Sequence, residues 1–100
     1  MQTIQTTVKN KDQTLYQGKV ISLSSVNDKG QFDVLPEHSN FISLIKDKLV
    51  IREPGKVPQE IKLNQAIMRV LSGKVEIYIG IGEALKEAGR LDVDEIEEFQ

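Results

Sequence analysis

His38 is the residue in this sequence with the widest chemical range, and it is the only histidine. Catalysis by histidine needs a partner, and the nearest carboxylates are Asp33 and Glu37. Because neighbouring side chains in a strand or turn point in different directions, this spacing does not predict a catalytic pair. A zinc site needs three or four ligands, and the chain has no second histidine and no cysteine. We expect no catalytic residue and no metal site, and we leave His38 open between a plain turn residue and an interface residue.

Two other patterns with chemical meaning are weak. Gly80-Ile81-Gly82 follows a strand-like run, as phosphate-binding loops do, but no third glycine follows at the right spacing and no βαβ unit follows. Paired carboxylates crowd only into Asp92–Glu98, and an acidic run at a chain terminus is usually solvated rather than held in a pocket that shifts pKa values. We therefore expect no cofactor and no enzymatic activity. A hydrolase that uses His38 and a carboxylate is the least favoured alternative.

Composition indicates one small soluble domain. The 100 residues are 39% hydrophobic and 28% charged, without an apolar run of the ~18 residues that a membrane span needs. The first residues do not resemble a signal peptide. Residues 1–81 carry 11 basic and 8 acidic side chains, whereas residues 82–100 carry 2 and 7. We predict a domain over 1–81 and a short acidic tail over 82–100, partly helical or disordered. The weak, scattered positive charge argues against nucleic acid.

Short alternating runs predict the fold class. Phe32 and Val34 alternate with polar residues, and in the run Val75–Ile79 the side chains of Glu76 and Tyr78 point away from their apolar neighbours. Turn signals separate the runs, so many short strands at close spacing predict a mostly β protein, an antiparallel sandwich or barrel. The clearest turn is the hairpin loop Asn27-Asp28-Lys29-Gly30, and Lys46-Asp47-Lys48 is expected to break two further runs.

Three segments carry a resemblance to a known family. Leu15–Val20 (LYQGKV), Asp28–His38 (DKGQFDVLPEH) and the apolar run Phe41–Ile45 together resemble the N-terminal domain of the epsilon subunit of F-type ATP synthases. The resemblance implies an antiparallel β-sandwich of two five-stranded sheets. It also implies a non-catalytic rotor subunit of the central stalk, which couples the gamma subunit to the membrane c-ring during ATP synthesis. Such a subunit is peripheral, at the cytoplasmic face of an energy-transducing membrane that it touches only through the c-ring.

The resemblance also assigns two interfaces. By its motif, Asp28, Lys29, Gly30 and Gln31 face the c-ring, while His38 and Ser43 lie on the gamma side. Departures from the motif concern the turn and the tail. Asp33 and Glu37 stand where the family usually has glycine, and aspartate tolerates a positive φ better than glutamate does.

The tail is the larger departure from the family. Residues 82–100 are too few for the family's C-terminal helical hairpin of roughly forty to fifty residues. We therefore expect no intrinsic inhibition and no ATP site. The alternative function left open is a stand-alone β-sandwich that binds a small ligand in a pocket at the Asp33–Asn40 turn.

Overall fold

The structure is a computed structural model that describes residues 2–80 and the backbone of Glu98–Phe99. The rest of the predicted acidic tail, with its helical or disordered character, lies outside the described residues. Within the described residues every regular element is a strand, and no helix is long and apolar enough to cross a membrane. The strands are β1 (Ile4–Lys9), β2 (Thr14–Val20), β3 (Ser22–Asn27), β4 (Gly30–Val34), β5 (Phe41–Arg52), β6 (Gln59–Leu71), β7 (Lys74–Ile79) and β8 (Glu98–Phe99).

These strands form one continuous mixed sheet in the order β2-β1-β7-β6-β5-β3-β4, with β8 on β5. The prediction of a purely antiparallel arrangement is wrong at two places, because β1 pairs with β7 and β5 pairs with β8 in parallel. A parallel neighbour must be reached by a long connection, and between β1 and β7 that connection is the rest of the domain. Periodicity within single strands could not have indicated this pairing.

β5 and β6 are long strands of 12 and 13 residues, and β5 includes the Lys46-Asp47-Lys48 triplet at which the sequence predicted a break. The polar break at Lys46-Asp47-Lys48 is a change of register instead of an end. Lys46 pairs with Gln65 and Asp47 with Leu63, which leaves Asn64 as an extra residue on β6. Asp47 has a φ of 69° at this point. A bulge of this kind bends a strand and increases its twist.

The core is a single cluster that joins strands from distant parts of the sheet. Ile4 and Val8 on β1 share it with Leu23 on β3 and Val34 on β4, although these strands are not neighbours in the hydrogen-bonded order. The sheet therefore folds over on itself, and its inner face is buried. The cluster confirms the predicted inward phase of β4, since Val34 is fully buried and Phe32 packs against the core.

One end of the inner face is polar. On β3 the inward residues after Leu23 are Ser25 and Asn27, which are buried, while Val26 is only half-buried. Ser25 Oγ donates a hydrogen bond of 2.7 Å to the carbonyl oxygen of Lys48 on β5. Buried polar groups are normally satisfied in this way, so these polar residues tie β3 to its neighbour.

Candidate interaction surfaces

The β3–β4 hairpin carries the first predicted surface, the tip, which we define as Asp28–Gln31. Asn27 pairs with Gly30 across the loop, and Gly30 supplies the positive φ, 117°, that closes it. The side chain of Asp28 is 97% exposed, and its carboxylate lies 3.5 Å from the ammonium of Lys46. Lys29 and Gln31 are exposed as well. The tip thus presents both charges and an amide to the surroundings.

Asn27 holds the tip from beneath. Its side-chain oxygen accepts a hydrogen bond of 2.9 Å from the backbone N–H of Lys29, and its Nδ2 donates one of 3.2 Å to Ser43 Oγ. Ser43 in turn donates to the carbonyl oxygen of Leu44. The loop is therefore anchored to β5 through side chains that are themselves buried.

Ser43 was predicted to lie at a gamma-subunit interface, and the structure places it inside the domain. Its exposed fraction is 0%, and its hydroxyl is engaged with Asn27 beneath the tip. Its role in an interface stays a prediction, and in this arrangement it would act by supporting the tip instead of by direct contact. The sequence signal for its burial was available, because Ser43 alternates in phase with Phe41 and Ile45.

The second predicted surface, which we call the His38 turn, spans Leu35–Ser39. The backbone N–H of His38 donates to the carbonyl oxygen of Leu35 at 3.1 Å, which closes a four-residue turn with Pro36 in its second position. Glu37 occupies the third position with a φ of 74°. This pattern matches a type II turn, whose third residue is usually glycine because it needs a positive φ. Of the two acids that replace glycines in the family motif, Glu37 therefore sits in the strained conformation.

Asp33, the other acid, lies in a regular strand. It is opposite Ser24 on β3 and accepts a hydrogen bond from the Ser24 hydroxyl. Arg52 on β5 donates to the same hydroxyl at 2.6 Å. These three side chains form a polar line across β4, β3 and β5. The replacement of the family's glycine by Asp33 therefore alters the polar surface of the sheet and leaves the turn unaffected.

The His38 ring lies against the core. Its centroid is 4.9 Å from that of Phe41, which is fully buried and itself meets Phe32 edge to face at 6.0 Å. Its Nδ1 donates to the carbonyl oxygen of Ser39 at 2.9 Å. The ring thus has an apolar partner and a backbone partner. Within residues 2–80, no group of three potential metal-ligating side chains occurs, and neither Asp33 nor Glu37 bonds to it.

A third surface emerges from the strand pairing. We call it the outer face: the side of β1, β7, β6 and β5 that points away from the core. Register places its side chains in two rows that run across the four strands. One row is Thr7, Glu76, Arg69 and Ile42, and the other is Lys9, Tyr78, Ile67 and Leu44.

Glu76 is the centre of a charged network on the outer face. One carboxylate oxygen accepts a hydrogen bond of 2.9 Å from Arg69 Nη1, and the other accepts one of 3.0 Å from the hydroxyl of Tyr78. The ammonium of Lys9 lies 3.7 Å from this carboxylate and 4.9 Å from the centroid of the Tyr78 ring. Burial, and then the negative charge of Glu76, raise the pKa of Tyr78 to about 12.

The alternation of polar and apolar residues predicts only half of this arrangement. Alternation correctly placed Glu76 and Tyr78 on the face opposite to Val75. It could not bring Lys9 beside them, because the parallel pairing of β1 with β7 joins residues that are far apart in sequence. No local pattern carries that information.

The alternative of a ligand pocket at Asp33–Asn40 gains no support from the described surface. Two open depressions, of about 390 and 410 Å³, lie elsewhere. One is lined by residues of β6 and the end of β7, including Lys62 and Gln65, and the other by residues of β1, β2 and β7, including Gln5 and Glu76.

Comparison with known proteins decides the family. The model of the ATP synthase delta/epsilon chain β-sandwich domain matches residues 3–82. The chain belongs to this family. Comparison with curated protein sequences gives no match.

Two solved structures resemble the family member described here. A chain in the Euglena gracilis mitochondrial ATP synthase structure, titled OSCP/F1/c-ring, superposes with a TM-score of 0.72 and 18% sequence identity, over 95% of this chain and 71% of that one. A chain in the central stalk/c-ring structure of the Tetrahymena thermophila mitochondrial enzyme gives 0.64 and 13%, over 78% and 63%. This chain thus spans under two thirds of the Tetrahymena chain. At these identities the likeness concerns the fold.

Proposed function

We propose that this chain is a non-catalytic rotor subunit of an F-type ATP synthase, which joins the gamma subunit to the membrane c-ring. The observation that carries the proposal is the family match over residues 3–82. The titles of both similar structures name the c-ring, and one names the central stalk, which supports the same role. In this role the protein occupies a peripheral position at the cytoplasmic face of the membrane and contacts lipid only indirectly.

The tip is the surface that we assign to the c-ring. A coupling subunit must transmit torque without slipping, so its contact has to be exposed and also stiff. Asp28 meets the first requirement with a 97% exposed side chain. The buried Asn27–Ser43 pair meets the second, since it fastens the loop to β5. The gamma side is then the His38 turn, whose ring is seated on Phe41.

A two-layer division of the sheet suits this role. The register change between Lys46 and Asp47 is the natural line along which β5 and β6 pass from one layer to the other. Divided there, one layer holds β2, β1, β7 and half of each long strand, and the other holds β3, β4 and the remaining halves. With the long strands counted once in each layer, the first layer has five strands apart from β8 and the second has four. We infer that the two layers correspond to the two sheets of the family. Two packed layers resist bending better than one open sheet does.

Binding to purified partners tests the proposal. The full chain should co-elute with the gamma subunit of the same organism, and the resulting complex should bind the detergent-solubilised c-ring. Lys29→Glu should weaken binding to the c-ring but leave gamma binding unchanged. Lys56→Glu is the matched control, because it makes the same charge change in the β5–β6 connection, after the end of β5 that lies far from the tip. Failure of the wild-type chain to bind gamma would refute the proposal. Equal losses in both variants would refute the assignment of the tip.

A further inference from the structure

Two lysines of the long strands lie directly opposite each other near the register change. Lys48 on β5 pairs with Lys62 on β6, and both side chains point outward because the next pair, Leu49 and Ile61, packs inward against the core. Like charges at directly opposed positions of an antiparallel pair destabilise the sheet. Within residues 2–80, neither ammonium lies within 4.0 Å of a carboxylate oxygen. The domain therefore carries an unfavourable charge pair that its described residues leave uncompensated.

The acidic neighbours along the two strands do not neutralise this pair. Asp47 precedes Lys48 at the bulge, has a φ of 69° and is exposed. Glu60 lies two residues before Lys62 on β6, where it is exposed and pairs with Val50. It is thus diagonal to Lys48, and diagonal residues of an antiparallel pair are farther apart than directly opposed ones. In the part of the chain that the structure describes, neither acid forms an ion pair with the two lysines.

A depression beside the lysine pair provides further hydrogen-bond donors. It has a volume of about 390 Å³, and its lining residues are Lys62, Leu63, Asn64, Gln65, Ile79 and Gly80. The amide side chains of Asn64 and Gln65 are exposed there beside the ammonium of Lys62. Ammonium and amide groups both donate hydrogen bonds to carboxylate oxygens. The apolar part of the lining can contact the methylene groups of a side chain that carries such a carboxylate.

The lysine pair is continuous with the tip. Lys46 pairs with Gln65, which lines the depression, and its ammonium lies 3.5 Å from the carboxylate of Asp28 in the tip. We call the polar residues around the register change the bulge site and define it as Lys46, Lys48, Lys62, Asn64 and Gln65. The bulge site extends the surface that we assign to the c-ring from the β3–β4 hairpin onto β5 and β6.

We propose that the bulge site is a second contact with the c-ring and that it receives an acidic side chain from a loop of the ring. The inference rests on the proposed function and adds the chemistry of the partner group. The charges favour an acid, because a carboxylate is attracted to both ammonium groups and offsets their mutual repulsion. Opposite charges across an interface also fix its register. A contact of this kind opposes slipping between the subunit and the ring.

Charge reversal tests the proposal through two measurements that should move in opposite directions. Lys48→Glu places a carboxylate opposite Lys62, so the melting temperature of the chain should rise by about 1–4 °C. The affinity of its complex with gamma for the detergent-solubilised c-ring should fall at least about tenfold. Lys62→Glu should weaken c-ring binding similarly, with a smaller rise in melting temperature because the new carboxylate lies near Glu60. A lysine pair that only supports the fold would not separate stability from binding in this way.

Lys19→Glu is the matched control for the charge change. Lys19 is exposed on β2 opposite Gln5, which pairs with Lys74 at the start of β7. The bulge site lies near the other end of β7, where Ile79 lines the depression. This variant should therefore bind the c-ring as tightly as the wild-type chain does.

Three outcomes would overturn the inference and leave the proposed function standing, provided that the wild-type chain binds gamma and the c-ring. The first is unchanged c-ring binding by Lys48→Glu and Lys62→Glu. The second is weakened gamma binding by these two variants, which would assign the lysines to gamma. The third is a fall in the melting temperature of Lys48→Glu, which would mean that an acidic group of the chain itself already neutralises the pair. Failure of the wild-type chain to bind gamma refutes the proposed function instead.

A second set of reversals identifies the acidic group of the partner. Each acidic residue in the loops of the c-ring is changed in turn to lysine, and each altered ring is combined with Lys48→Glu. One of these combinations should bind at least about tenfold more tightly than Lys48→Glu binds the unaltered ring, because the two opposite charges are restored with their positions exchanged. Recovery with none of the altered rings would mean that the bulge site does not receive an acid, and the proposal would be wrong.

Discussion

The outer face and the His38 turn both lie outside the core cluster, and they are stabilised by different kinds of interaction. The outer face is organised by long-range pairing, because Lys9, Glu76 and Arg69 meet only when β1, β7 and β6 lie side by side. The His38 turn is local. Its closing hydrogen bond joins residues three apart, and its conformation depends on the φ of Glu37.

The contrast teaches where burial comes from in a small β domain. On the outer face a side chain that alternation assigns to solvent, such as Ile67, can be buried as deeply as the core. In the His38 turn a ring that could serve chemistry, His38, is a packing element on Phe41. Substitutions in the two regions should therefore differ in size and in sign, and the following predictions are arranged from the largest effect to the smallest.

Phe41→Ala should have the largest effect, because Phe41 lies beneath the His38 turn and is fully buried. We expect a loss of about 3–5 kcal/mol in the free energy of unfolding, measured by urea titration. The substitution also removes the ring on which His38 rests, so the histidine signals in a proton spectrum should move towards random-coil positions. Phe32→Ala is the control, and it should cost less because Phe32 is only partly buried. A loss below ~1 kcal/mol for Phe41→Ala would mean that the phase of β5 is wrong.

Ile67→Ala tests whether the outer face is truly interior. With the side chain 2% exposed, we expect a cost of about 2–3 kcal/mol, near that of a core isoleucine. Leu44→Ala, one strand away in the same row and 44% exposed, should cost about 1 kcal/mol or less. Equal and small losses in the two variants would show that the outer face is ordinary solvated surface, and the contrast with the His38 turn would fail.

The parts of this structure that sequence could predict are the ones set by local pattern. Alternation gave the inward phase of Val34 and the outward phase of Tyr78, and turn chemistry gave the hairpin at Asp28. The polar triplet around Asp47 predicts a break, and the structure has a register change there, because such a triplet inside an apolar run has the same pattern whether a strand ends or bulges.

The parallel pairing of β1 with β7, and with it the network around Glu76, depends on which strands become neighbours. No period in the sequence encodes that choice. The family motif supplied what local pattern could not, namely the assignment of the tip and the His38 turn to partners, and these assignments stay predictions.

Glu76→Gln should remove the charge that organises the outer face. Its carboxylate contacts Arg69 and Tyr78 at hydrogen-bonding distance in a partly exposed setting, so we expect a cost of about 1 kcal/mol. The clearer readout is the titration of Tyr78, followed by phenolate absorbance in a Tyr16→Phe background. Without the negative charge, the pKa of Tyr78 should fall from about 12 towards its usual value.

The raised pKa of Tyr78 predicts how the stability of the fold depends on pH. Its folded pKa of about 12 lies above the unfolded value of 10.0, so the neutral phenol favours the folded state. This contribution is complete below pH 10.0 and is lost as the pH rises towards about 12. In Glu76→Gln the decline should begin at the same pH and be smaller. An unchanged tyrosine titration in that variant would mean that burial alone raises the pKa.

Glu37→Gly should have the smallest effect and the opposite sign. At a φ of 74° the glutamate pays a steric penalty that glycine avoids, and relief of ~1–2 kcal/mol exceeds the entropy that glycine adds to the unfolded chain. We expect a net gain of about 0.5–1 kcal/mol, measured by thermal unfolding. Asp33→Gly is the matched control. There the same kind of change removes a hydrogen bond to Ser24 and weakens a regular strand, so stability should fall. A loss of stability in both variants would mean that the third position of the His38 turn does not favour glycine. The turn would then be held by the Glu37 side chain, which within the described residues accepts a hydrogen bond from Gln2 Nε2.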